Sequence, residues 1–71
     1  MMKPLKKIKI AMIEQNLTGG EIARRIGVDR SYIWHVARSD FKTEWVRKAI
    51  CNALNLPLSI WDEIDRDKNA A

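Results

Sequence analysis

The side chains with the most varied chemistry lie in one short run, Arg30-Ser31-Tyr32-Ile33-Trp34-His35, followed by Arg38 and, past a polar loop, Lys42. On a helix, Arg30, Ser31, Tyr32, Trp34 and His35 share one side, while Ile33, Val36 and Ala37 share the other. A guanidinium fork matches two adjacent acceptors, a hydroxyl or imidazole suits a single polar edge, and an indole suits an apolar one. Such a face recognises another surface. The alternative is an ordinary solvated face with Trp34 folded onto a neighbour.

Bond-breaking chemistry has no comparable support. The chain holds one His and one Cys, too few ligands for a structural zinc site. No Ser/His/Asp or paired-carboxylate grouping is evident, and so small a body offers little pocket. No enzyme activity, metal, cofactor or small-molecule ligand is expected. Cys51 falls on an inner helical stripe and reads as a buried structural thiol, and a single cysteine closes no internal disulfide.

Charge points to a polyanionic partner. The net charge is +4, but residues 1–48 hold eleven basic and five acidic side chains, whereas residues 58–71 hold two basic and four acidic. A basic body with an acidic end suits a phosphate backbone. At 71 residues there is room for one domain, and a domain this short buries only about 60% of its unfolded surface. There is no apolar run long enough for a membrane span and no signal-peptide pattern, so a cytoplasmic location without membrane contact is expected.

The elements that hold these residues are all helical. Pro4 to Gln15 reads as a first helix, with Pro at its first position and Leu5, Ile8, Ala11 and Met12 facing inward. Lys3, Lys6, Lys7 and Lys9 crowd its start, and Ile10 and Ile13 form an extra apolar strip. Thr18-Gly19-Gly20-Glu21 is a capping box that opens a short second helix, Gly19 to Ile26. Gly27 supplies a left-handed stop, and Asp29 caps a third helix, Arg30 to Arg38. Thr43 caps a fourth, Glu44 to Leu54, with apolar residues at 45, 46, 49, 50, 53 and 54. Asn55 and Pro57 end it, and a last helix spans about Leu58 to Ile64. The expected fold is therefore all-α, five short helices around one core, with a domain over residues 1–65 and a frayed tail over 66–71. Trp45, Trp61 and Phe41 are expected as core or loop anchors.

Residues 18–37 form two short helices joined by Gly27-Val28-Asp29, with the small Ala23 allowing close approach and Ile22, Ile26, Val28, Ile33 and Val36 sharing a mini-core. The string Leu17-Thr18-Gly19-Gly20-Glu21-Ile22-Ala23, then Ile26-Gly27-Val28 and Ile33, resembles the helix-turn-helix of the lambda-repressor-like family, the phage Cro and repressor proteins and their bacterial relatives. The segment Ala49 to Trp61 is similar to that family's fourth and fifth helices. Its Asn52-Ala53-Leu54 and Ile60-Trp61 elements are similar to the small Ner-like phage regulators. The resemblance spans residues 8–64.

It implies base contacts at Arg30, Ser31, Tyr32, Trp34 and His35, and phosphate contacts at Gly19, Gly20, Arg38 and Lys42. Three departures stand out. Gly19 replaces a common Gln, the glycine often found near Ser39 is missing, and the positions of an Arg–Glu pair are Met12 and Ala37. The function implied is a sequence-specific transcription regulator, a repressor of phage or mobile-element kind, that binds double-stranded operator DNA as a weak or DNA-dependent homodimer. Ile60 and Ile64, with Ile10 and Ile13, are the expected pairing surface. The rivals are an excision or architectural factor, an antitoxin-like autoregulator, or a protein-interaction module on the same scaffold. A module of that last kind calls for a mostly apolar outer face, unlike Arg30, Ser31, His35 and Arg38.

Overall fold

Helix stops organise this chain. The computed structural model describes residues 2–70 and contains α1 (Pro4–Glu14), α2 (Gly19–Ile26), α3 (Arg30–Ala37), α4 (Glu44–Leu54) and α5 (Ile60–Ala70), with no strand among the described residues. Each of the first four helices ends at a left-handed residue: Asn16 (φ 54°), Gly27 (79°), Ser39 (65°) and Asn55 (55°). That conformation turns the chain back so that the next amides close on the last free carbonyls. After α1, for example, Leu17 N–H donates to Met12 C=O at 2.8 Å and Asn16 N–H to Ile13 C=O at 3.1 Å.

Helix starts are equally local. Pro4 opens α1, where its missing N–H is no loss. The Thr18 hydroxyl accepts from Glu21 N–H at 3.1 Å, and Asp29 accepts from Ser31 N–H at 3.3 Å. The Glu21 carboxylate meets the Thr18 hydroxyl at 3.3 Å, not its backbone N–H as the capping box predicts. Thr43 caps α4 by position, but its hydroxyl is bonded to Tyr32.

The stripes close on one core. Ile8, Ala11 and Met12 of α1 meet Ile22 and Ala23 of α2, Ile33, Val36 and Ala37 of α3, Val46, Ile50, Cys51 and Leu54 of α4, and Ile60, Trp61 and Ile64 of α5. The Cα radius of gyration is 11.2 Å, matching the ~11 Å of a compact chain of this length.

Three expectations change. Trp45 is 56% exposed, because the buried line of α4 runs through Val46, Ile50 and Leu54 and is widened by Cys51 on the side that α5 covers. Ile60 and Ile64 are only 2% and 4% exposed, so neither belongs to a pairing surface; of the extra α1 strip, Ile13 is 78% exposed and Ile10 half-buried. The last helix starts at Ile60 and continues to Ala70, so the segment expected to fray is helical as far as it is described, residue 71 lying outside the described residues. No helix is long and apolar enough to cross a membrane.

Candidate functional site

The pair α2–α3 carries the residues singled out by the sequence. Gly27, left-handed, ends α2, and both its N–H and that of Val28 donate to Ala23 C=O at 2.9 and 3.0 Å. The turn is tight enough to drive Ile22 and Ala23 against Ile33, all buried. With Ile33, Val36 and Ala37 at zero exposure, α3 is fixed from beneath and its orientation is set by packing.

At its start, α3 meets the N-terminus of α2. A β-carbon on Gly20 would lie 3.5 Å from Arg30 Cδ, so the Arg30 stem runs across that terminus, leaving the exposed guanidinium beside it. A β-carbon on Gly19 would lie 2.9 Å from Trp34 Nε1. The half-buried indole thus covers Gly19, and the side-chain-free position is what lets it do so. Arg30, Trp34, Gly19 and Gly20 are therefore one cluster, with Ser31 exposed next to it and its hydroxyl bonded to Asp29.

At its other end, α3 stops in a doubly closed turn: Ser39 N–H donates to Val36 C=O at 2.9 Å and Asp40 N–H to His35 C=O at 2.8 Å. This reversal returns the Asp40 carboxylate to the helix. Its Oδ2 lies 3.2 Å from His35 Nδ1 and 3.5 Å from Arg38 Nε, and its Oδ1 accepts from Lys68 Nζ at 2.8 Å. Chiefly through Lys68 and then His35, these donors hold the Asp40 carboxyl down to a pKa of about 2. Phe41 packs against both His35 and Tyr32, with ring centroids 4.9 and 5.2 Å apart. Tyr32 is thereby committed to the α3–α4 loop, its hydroxyl on Thr43. Arg38 and Lys42 are exposed.

Beneath the loop sits a network that sequence reasoning missed. Arg47 Nη2 donates to Asp65 Oδ1 at 2.8 Å and to Ser39 Oγ at 3.1 Å, and Nη1 reaches Asp65 Oδ2 at 3.3 Å. The guanidinium stacks 5.0 Å from the Trp61 ring centroid, and Trp61 Nε1 donates to Arg47 C=O at 3.2 Å. Arg47 Nε is buried without a partner. Arg47 holds the Asp65 carboxyl below its ordinary value. Ser39, buried and left-handed, is thus held by hydrogen bonds where glycine is the usual choice. No group of three or more metal-ligating side chains is present among the described residues.

No family model, no curated protein and no solved structure matches this chain.

Proposed function

We propose that this chain is a sequence-specific DNA-binding regulator of the helix-turn-helix kind, with α3 in the major groove of an operator. One observation carries the reading. The inner side of α3 is wholly buried, while its outer side presents Arg30, Ser31, Trp34, His35 and Arg38 in exposed or half-exposed positions. A helix with its side chains is about 10–12 Å across, which the ~12 Å width of the major groove admits. The edge is polar and cationic on a rigid base, as groove recognition demands.

Arg30 is the candidate for a guanine, whose O6 and N7 fit a guanidinium fork. Trp34 offers an indole edge beside it, packed on Gly19. Arg38 and Lys42 suit phosphates, whereas the start of α2 is covered by the Trp34 indole at Gly19 and crossed by the Arg30 stem at Gly20. Repression of transcription follows if the occupied site overlaps a promoter. Two copies on adjacent half-sites belong to this reading, and Ile13 is the exposed apolar side chain of the expected strip that can serve their contact.

The test is selection of sites from a random duplex library, followed by titration with salt. Neutralising about four to six phosphates per copy predicts a log–log slope near −0.9 for each. A flat salt dependence, or no binding to duplex at low salt, refutes it.

A further inference from the structure

A carboxylate at the end of a cationic edge weakens plain phosphate binding, yet Asp40 stands there, just past α3, and touches His35, Arg38 and Lys68. Flanked by an ammonium and a guanidinium, it is ionised at neutral pH, and an ionised carboxylate only accepts hydrogen bonds. The hydrogen shared with His35 therefore sits on Nδ1. In a neutral imidazole the second nitrogen then keeps a bare lone pair. The His35 side chain is 41% exposed, and Nε2 lies across the ring from the nitrogen that faces Asp40. Phe41 lies against the ring and limits its rotation.

We propose that Asp40 is a positioning residue that makes His35 present a hydrogen-bond acceptor to the major groove, so that His35 selects an amino group, cytosine N4 or adenine N6, and disfavours guanine and thymine. Guanine O6 and N7 and thymine O4 are acceptors, and two facing acceptors repel. The inference rests on the DNA-binding reading above. It also explains a carboxylate that non-specific affinity alone would remove: Asp40 trades attraction to phosphate for selectivity at one base.

Asp40→Asn separates this role from a structural one. It removes an anion from the edge and releases the tautomer, so affinity for random duplex should rise while discrimination falls. Loss of structure lowers both. His35 is the single histidine of the chain, so its ring nitrogens can be observed without assignment ambiguity. The experiment measures their NMR shifts in the free protein, in mildly alkaline buffer, and then selects DNA sites with the wild type and with Asp40→Asn. The expected result is hydrogen on Nδ1 in the wild type and a position enriched in cytosine or adenine. In Asp40→Asn that preference should shrink on the order of 3- to 10-fold, the worth of one hydrogen bond, with tighter binding to random duplex. Hydrogen on Nε2 in the wild type, or an unchanged preference in the variant, overturns the inference alone. Failure of the wild type to bind any duplex at low salt overturns the DNA-binding reading together with it.

Discussion

The Trp34 indole occupies the space that a side chain at position 19 needs: a β-carbon on Gly19 would come within 2.9 Å of Nε1 and 3.3 Å of Cε2. Glycine at the start of α2 is thus a packing choice, and a long polar side chain there is incompatible with the present indole position. Gly19→Ala should destabilise the protein by about 1 kcal/mol, the lower end of the cost of overpacking. In a Trp34→Ala background the same change should stabilise it by about 0.5 kcal/mol, because the clash is gone and alanine is the better helix former. Urea unfolding of the four proteins of this cycle measures the coupling, and additive effects would separate the two residues.

Arg30 and Arg38 lie at opposite ends of the same edge, and on the proposed DNA-binding reading they should behave differently on DNA. Arg30→Ala is expected to cost about 1–3 kcal/mol on the best site and to flatten preference at one base pair. Arg38→Ala should weaken all sequences alike and reduce the salt slope by about one unit. Binding curves on selected and scrambled duplexes at several salt concentrations distinguish the two. An unaltered base preference in Arg30→Ala means that another face of α3 enters the groove.

Acid should loosen the C-terminal packing first. Asp40, held at about 2 by Lys68 and His35, and Asp65, held down by Arg47, both have folded values below the ordinary 3.8. A lowered folded pKa gives stability that is complete above the unfolded value and is lost as pH falls through the folded one. The melting temperature should therefore decline between about pH 4 and pH 2, and less steeply in Asp40→Asn. A variant with the wild-type slope over that range would disconnect Asp40 from the loss.

Removing one partner of the Arg47–Asp65 pair should hurt more than removing both. Asp65→Ala leaves a guanidinium that is 12% exposed without its carboxylate and with only the Ser39 hydroxyl as acceptor, while Asp65 itself is 26% exposed. The expected loss is roughly 1–3 kcal/mol, discounted from the ~3–5 kcal/mol of a fully enclosed pair. Arg47→Met combined with Asp65→Leu should recover much of this, since Arg47 Nε already lacks a partner. For scale, Ile33→Ala should cost roughly 2–5 kcal/mol through an unfilled core. Denaturant unfolding compares all three, and a double variant no better than Asp65→Ala alone would show the charges to be net stabilising.

Local signals in the sequence were informative where the structure is local. The caps Thr18 and Asp29, the left-handed Gly27 and the limits of α4 depend on residues within a few positions of each other, and they stand where expected. What escaped is tertiary. Between Ile64 and Ala70 no apolar residue marks the helix, and its continuation carries Asp65 to Arg47 and Lys68 to the Ser39 carbonyl, 2.9 Å away. The doublet repeat of α4 does not say which member of each pair faces in, and Trp45 is the outward member of its pair. His35 and Asp40 are five apart, a spacing that no helix face brings together. Their contact depends on a left-handed serine with no glycine to announce the turn.

Cys51 gives this small protein a clock. Its thiol is 3% exposed between α4 and the loop that leads to α5, with Sγ 3.7 Å from Pro57 C=O, and burial pushes its pKa up. A thiol reagent can reach it only when the core opens, and it is the single cysteine. The labelling rate therefore reports the population of the opened core, and the opening rate itself where labelling outpaces reclosing. Any ligand that binds only the closed form must slow that rate in proportion to its occupancy. Any partner that binds the closed form can thus be detected by the silence of a buried sulfur, with no label on the partner.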